Sequence, residues 1–131
     1  MQTLLDRTLD YTKVRQQFGR PLSANQVIRH RLADMAMSCD EARSIALRAA
    51  LFAEADPVAR GRAASGAKAK IGKCARFVAE QAVQLHGAMG VTEELDIGAY
   101  FKRLTAFETL FGGSPHHIRR HATLGGRALS S

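Results

Sequence analysis

Residues 11–26 place a guanidinium, an aromatic ring and a carboxamide around one corner of the chain. Arg15 and Phe18 precede a turn at Gly19, and Gln26 follows in the first turn of the next predicted helix. A guanidinium can bind a pyrophosphate through paired hydrogen bonds, a ring can pack against a nucleotide, and an amide can hydrogen-bond a base or ribose. On composition alone the ordinary alternative is favoured, in which Arg15 is a surface residue near a helix end and Phe18 packs under the turn.

A second segment, residues 82–92, ends a predicted helix on glycine. Gln84 precedes Gly87 and Gly90 within it. Small residues let a backbone approach a diphosphate closely. The alternative is a helix that simply ends on glycine with Gln84 exposed, because glycine is the commonest residue just after a helix. The Gly-x-x-Gly spacing by itself is weak evidence for a binding turn.

Together the two segments resemble the acyl-CoA dehydrogenases, a family of FAD enzymes. Residues 11–26 reproduce in full the family's pattern of Tyr11, Arg15, Phe18 followed by glycine, and Gln26. The resemblance implies that FAD is the cofactor. It also implies that Arg15 binds the FAD pyrophosphate, that Phe18 packs beside the cofactor, and that Gln26 contacts its adenosine end.

Residues 82–92 resemble the family's second flavin-contacting turn. The resemblance implies that Gln84 and Gly87 contact an FAD belonging to the neighbouring subunit, with Ala88 in place of the usual second glycine. Gln17, in the first segment, is a further candidate for a polar contact. The cofactor-binding residues predicted from the two segments are Arg15, Phe18, Gln26, Gln84 and Gly87.

Residues 111–114 lie where many members of the family carry their catalytic glutamate. That glutamate removes the α proton of an acyl thioester while the flavin takes the β hydride, so a general base is required. The sequence has Gly112 in this position, and no catalytic residue is predicted in the chain. Glu108 lies one helical turn earlier and is expected to point elsewhere. Ser114 matches the threonine that hydrogen-bonds the flavin, although capping of the next helix explains it equally well.

The resemblance covers nearly all of residues 1–131 but only the last third of a full family member. The N-terminal helical domain and the middle β domain, which hold the flavin ring and much of the acyl-CoA, are expected to be absent. The chain is therefore predicted to supply FAD contacts and a subunit interface to an acyl-CoA dehydrogenase, and to be inactive alone. The alternative is a non-catalytic homologue or partner subunit that serves only assembly.

The resemblance also implies the partners of the complete enzyme: further copies or a heteromeric dehydrogenase subunit, an acyl-CoA substrate and an electron-accepting flavoprotein. The formal net charge of +7 fits an anionic partner or simply a solvated basic surface. Nucleic acid is disfavoured because the chain lacks aromatic residues interleaved with basic ones. His116 and His117 are adjacent on a predicted helix and cannot share a metal at helical spacing, so no metal site is predicted.

Cysteine usage bears on the compartment. Cys39 and Cys74 each fall among apolar positions of a helical pattern. This indicates buried free thiols in a reducing compartment, and we expect a cytoplasmic protein. No signal peptide is predicted at the start of the chain, and no stretch approaches the ~20 apolar residues that a membrane span needs.

Hydrophobic residues make up 46% of the chain and recur at helical spacing nearly throughout, and no strand pattern of period two competes. We therefore predict an all-α fold, an antiparallel four-helix bundle with a short additional C-terminal helix. The predicted helices cover about residues 2–17, 23–55, 57–86 and 94–110, with a short helix from Ser114 that fades near Gly125.

Residues at the predicted helix starts suggest how each helix is capped. Ser23 and Gln26 form a capping box, in which each side chain bonds the other's backbone. Asp56-Pro57 and Ser114-Pro115 each predict an N-cap followed by proline in the first turn. Glycines inside the third helix predict close approach of its neighbours. These glycines are Gly61, Gly66 and Gly72.

Overall fold

The computed structural model describes residues 1–87 and 97–129, with side chains to residue 126 in the second range. Helices dominate this part of the chain, and the all-α prediction is confirmed. A short antiparallel hairpin, β1 and β2, pairs Gln16 with Pro21 and Gln17 with Arg20. The elements are α1 (Gln2–Val14), β1 (Gln16–Gln17), β2 (Arg20–Pro21), α2 (Gln26–Leu51), α3 (Pro57–His86), α4 (Ile97–Thr109) and α5 (Ser114–Leu129).

Helix α3 lies at the centre, and each of the other four helices packs against it. Its sequence is rich in alanine and glycine, so backbones can approach it from several sides. The main hydrophobic core forms where α1, α2, α3 and α4 meet. Its buried members are Leu4, Leu5, Leu32, Met35, Cys39, Val78, Ala79, Ala82, Leu85 and Ile97. No described helix is long and apolar enough to cross a bilayer.

The corner between α1 and α2 differs from the prediction. Helix α1 ends at Val14 rather than 17, because Arg15 turns to an extended conformation with φ −66° and ψ 125°. The Arg15 carbonyl then accepts a hydrogen bond of 2.8 Å from the Leu22 N–H. This bond closes the corner around the hairpin. The two strands of the hairpin have two residues each, which is too short for a strand pattern to be recognised in the sequence.

The predicted capping box at Ser23 is wrong. Ser23 lies inside a 3-10 turn, Leu22–Ala24, that precedes α2. Asn25 caps α2 instead, and its Oδ1 accepts from the Val27 N–H at 3.1 Å. The far end of α2 was also overestimated, since the helix stops at Leu51 rather than 55.

The start of α3 follows the prediction. Asp56 is the N-cap and Pro57 is the first helical residue. The Asp56 Oδ1 accepts from the backbone N–H groups of Val58 at 2.9 Å and Ala59 at 3.0 Å. The carboxylate thereby satisfies two of the donors that a helix N-terminus leaves free.

Ser114 does not cap α5 through its side chain. It is the first helical residue, and its hydroxyl donates to the Ala69 carbonyl of α3 at 3.2 Å. Its backbone N–H donates instead to Glu108 Oε1 at 2.9 Å. Helix α5 runs to Leu129, past the glycines that were expected to end it. Helix α4 was predicted from 94; residues 94–96 lie outside the described residues.

Close approach at the α3 glycines is confirmed. A Cβ on Gly61 would lie 3.0 Å from Leu124 Cδ1 of α5, and one on Gly72 would overlap the Glu108 carboxylate of α4. Cys39 and Cys74 are free and buried, as predicted. Burial raises the pKa of both thiols, which keeps them protonated.

Candidate functional site

A cleft of about 420 Å³ opens where the end of α1, the start of α2 and the end of α3 meet. Its polar lining comes from three directions: Arg15 and Gln17 after α1, Arg31 of α2, and Gln84 and Gly87 at the end of α3. Two guanidinium groups, two carboxamides and a glycine backbone therefore face one space. Such a set favours an anion with further hydrogen-bonding groups.

Arg15 reaches the cleft because α1 ends just before it. Its own N–H still bonds the Tyr11 carbonyl at 2.8 Å, while its backbone has already become extended. The exposed side chain therefore leaves the helix at the edge of the cleft. A guanidinium at this edge is free to form paired bonds to an anion.

Gly87 ends α3 in a conformation that favours glycine. Its φ is 62° and its ψ is −143°, and its N–H bonds the Val83 carbonyl. A Cβ added there would meet nothing within 4 Å. The backbone conformation, rather than a lack of space, therefore explains the glycine. Residues 88–92 of the second predicted turn lie outside the described residues.

Tyr11 and His86 join the two sides of the cleft. Their rings stack with centroids 4.2 Å apart and planes 27° from parallel. The Tyr11 hydroxyl also donates to the His86 carbonyl at 3.5 Å. The stack connects the last turns of α1 and α3, one turn before Arg15 and next to Gly87, so it fixes the position of both segments.

His86 is held in one neutral form. Its Nδ1 lies 2.8 Å from the Ala82 carbonyl, which can only accept, so Nδ1 carries the hydrogen. Burial lowers the pKa of the imidazole and outweighs the opposing effect of that hydrogen bond. The ring is therefore uncharged at neutral pH.

We expect this histidine to make stability depend on pH. Because its folded-state pKa is lowered, its contribution is fully present above the ordinary value of 6.5 and is lost as the pH falls through the folded-state pKa. Urea unfolding of His86→Leu should therefore show a weaker loss of stability below pH 6.5 than the wild type. His30→Leu, at an exposed position of α2, is the control. Identical pH profiles for the wild type and His86→Leu would contradict the assignment.

The structure gathers some of the predicted cofactor-binding residues and leaves others outside. Arg15, Gln84 and Gly87 line the cleft together, as does Gln17. Phe18 is fully exposed near the hairpin turn with φ 51°. Gln26 is exposed at the start of α2 and is not among the residues that line the cleft, although its neighbour Val27 is. The roles of all five in binding a cofactor remain predictions.

Sequence reasoning missed Arg31 and the structural role of His86. Arg31 lies three residues after Ile28 and four after Val27, which also line the cleft. Residues at these spacings share one helix face. That periodicity was the signal that could have placed Arg31 at the site.

The turn that contains Gly112 forms a separate structural unit. Lys68 of α3 donates to the carbonyls of Phe107 at 2.8 Å, Glu108 at 3.2 Å and Gly112 at 3.3 Å. The φ angles of Phe111 and Gly112 are 59° and 95°. Lys68 thus caps the end of α4 and supports a turn whose backbone is largely restricted to glycine at residue 112.

The Glu108 side chain points toward Gly72 of α3. Burial raises the pKa of this carboxyl, but hydrogen bonds from Ser114 and the charges of Lys68 and Arg76 outweigh that effect and lower it overall. Its Oε2 is buried and has no hydrogen-bond partner among the described residues. Glu108 therefore serves the α4–α5 junction as an anion at the α5 N-terminus.

The paired histidines support the same turn. The rings of His116 and His117 meet edge to face with centroids 5.0 Å apart, closer than their divergence on the helix suggested. His117 Nε2 lies 2.9 Å from the Phe111 carbonyl and therefore donates to it. The His116 ring lies where a Gly112 side chain would project, with Cδ2 2.8 Å from an added Cβ.

Comparisons with known proteins agree with this fold. The family model for the acyl-CoA dehydrogenase C-terminal domain matches residues 1–123. Acyl-CoA dehydrogenase IpdE2 of Mycolicibacterium smegmatis is 35% identical over 118 residues, which is 88% of this chain and 35% of the relative. Human mitochondrial short-chain specific acyl-CoA dehydrogenase is 34% identical over 113 residues, covering 86% and 27%.

A solved structure shows the same likeness. A variant of the Tcur3481-Tcur3483 steroid acyl-CoA dehydrogenase superposes with a TM-score of 0.93 and 29% identity over 99% of this chain and 36% of that one. The chain thus spans about a third of the length of the proteins that it matches. Because the family model covers nearly the whole sequence, the chain belongs to the acyl-CoA dehydrogenase family, of which it represents the C-terminal domain.

Proposed function

We propose that residues 1–131 act as the C-terminal domain of an FAD-dependent enzyme that introduces an α,β double bond into an acyl-CoA thioester. The domain supplies contacts to the FAD diphosphate and adenosine, together with a subunit interface, and is inactive alone. The observation that carries the proposal is the cleft that gathers Arg15, Gln84 and Gly87 from two ends of the fold.

The cleft residues fit the cofactor chemically. Arg15 provides a fork for the diphosphate, Gln84 provides amide hydrogen bonds, and Gly87 lets the ligand approach the backbone without a Cβ. When bound, FAD accepts the hydride from the acyl chain. The exposed Phe18 and Gln26 then contact cofactor atoms that extend beyond the cleft, around the hairpin.

Assembly is the second part of the proposal. Several large apolar side chains are exposed, which favours association with another subunit. They include Val14, Phe18, Met37, Leu47 and Leu51. The partner is another copy of the chain or a heteromeric dehydrogenase subunit.

The complete enzyme takes an acyl-CoA substrate and passes electrons to a flavoprotein. The free thiols support a cytoplasmic setting.

A non-catalytic role in assembly is the alternative, and Gly112 favours it. The position that carries the base in many relatives has no side chain here. An active enzyme would therefore take its base from another part of the protein or from a partner subunit. Retention of Arg15, Gln84 and Gly87 in one cleft favours cofactor binding over this alternative.

Arg15→Lys tests cofactor binding in the full-length enzyme that contains this chain. Lysine keeps the charge but cannot form the paired bonds, so we expect FAD affinity to fall about tenfold, the effect of losing one charged hydrogen bond. The measurement is FAD occupancy by absorbance after gel filtration, with helix content followed by circular dichroism. Arg20→Lys, an exposed change on β2 outside the cleft lining, is the matched control. Unchanged FAD occupancy in Arg15→Lys would contradict the assignment of Arg15 to the FAD diphosphate.

A further inference from the structure

Arg31 is a second cation in the same cleft. It lies in the second turn of α2 and is half-buried, whereas Arg15 is exposed at the edge. Its guanidinium donates to Gln81 Oε1 of α3 at 3.1 Å. This neutral amide holds the side chain in place across the two helices without neutralising its charge.

Some cations on the α2 and α3 surfaces have acidic partners. Lys70 lies 2.7 Å from Glu41, and Arg76 lies 2.8 Å from Glu80. Within residues 1–87 and 97–126, no ion pair joins Arg15 or Arg31 to a carboxylate. A partly buried charge without a counter-ion loses hydration without a matching electrostatic gain. The cleft is therefore electropositive and suited to an anionic ligand.

The two arginines enter the cleft from different elements. Arg15 comes from the end of α1, and Arg31 comes from α2, where Gln81 restrains it. Guanidiniums on two separate walls suit two linked phosphates better than one, because a single phosphate can bind one of them while leaving the other unpaired. We propose that Arg31 is a second phosphate-binding residue, which makes the cleft prefer a diphosphate over a monophosphate nucleotide. This inference rests on the proposed nucleotide site.

The test compares ADP with AMP as probes on the 131-residue chain, with binding followed by NMR titration. We expect the wild type to bind ADP more tightly than AMP. Arg31→Gln should weaken ADP binding about tenfold and AMP binding much less, so that the preference is lost. Arg31→Lys should keep part of the preference. Arg29→Gln, at an exposed position of α2 outside the cleft lining, should keep all of it.

Arg15→Gln separates this inference from the proposed function. If Arg15→Gln weakens ADP binding while Arg31→Gln and Arg31→Lys leave the ADP and AMP affinities unchanged, the role of Arg31 is wrong and the cofactor cleft stands. If the wild type binds neither nucleotide, or no arginine variant alters ADP binding, both proposals fail. Thermal unfolding by circular dichroism checks that each variant is folded; should Arg31→Gln be unfolded, Arg31→Lys alone decides, with an unchanged ADP/AMP ratio overturning the inference.

Discussion

Gly72→Ala is expected to lower the free energy of unfolding by about 2 kcal/mol, although alanine is the better helix former. The added Cβ would overlap the Glu108 carboxylate and lie 2.9 Å from Ser114 Oγ. Overpacking of this kind costs about 1–3 kcal/mol, and loss of a hydrogen bond to a charged group costs about 1.5–3 kcal/mol. The gain in helix propensity returns only about 1 kcal/mol.

Gly98→Ala is the matched control for this substitution. Gly98 also lies in a helix, and a Cβ there meets nothing within 4 Å. Its replacement should leave stability unchanged or raise it slightly. Urea unfolding of both variants measures the difference. Equal stabilities for the two would show that Glu108 rotates away from α3 without cost, which would remove it as a fixed anion at the α5 N-terminus.

Gly112→Glu is expected to destabilise the turn by about 3 kcal/mol rather than supply a working base. The backbone φ of 95° disfavours any residue with a Cβ, at a cost of about 1–3 kcal/mol. The new side chain would also meet the His116 ring, whose Cδ2 would lie 2.8 Å from its Cβ. The turn therefore favours glycine at residue 112, which agrees with the absence of a carboxylate at this position.

Two further variants, compared by thermal unfolding, separate the backbone cost at residue 112 from the steric cost. Gly112→Ala measures the backbone cost together with the steric contact between the new Cβ and the His116 ring. Gly112→Glu combined with His116→Ala removes the ring and should recover only the steric part. In the full-length enzyme, Gly112→Glu should not increase acyl-CoA dehydrogenation. A gain of about 100-fold, the effect of adding a general base, would show that the turn accepts the carboxylate and that the base position is intact.

Much of the fold follows from local signals in the sequence. The start of α3 was predictable because Asp56-Pro57 is a strong N-cap pair. The corner before α2 was not, because Ser23 and Asn25 are both good capping residues and a backbone bond from Leu22 to Arg15 decides between them. Such a bond depends on how the chain folds back, and side-chain types do not encode it.

The candidate site was also predictable only in part. Arg15, Gln84 and Gly87 were identified through a resemblance, and the structure brings them into one cleft. Arg31 is not part of that resemblance: its spacing from Val27 and Ile28 indicates the helix face on which it lies, but its place in the cleft also depends on the packing of α2 against Gln81 of α3. The long-range pairing of helix faces therefore limits what the sequence shows about the site, even where each helix is correctly predicted.

The contact between Tyr11 and His86 bears on the entropy of binding. Because the stacked rings already hold the end of α1 against the end of α3, the two walls of the cleft keep their separation without a ligand. Ordering flexible groups at a binding site costs about 0.5–1.5 kcal/mol for each side chain immobilised. In a preorganised cleft of this kind, part of that entropy is lost when the chain folds, before any ligand arrives.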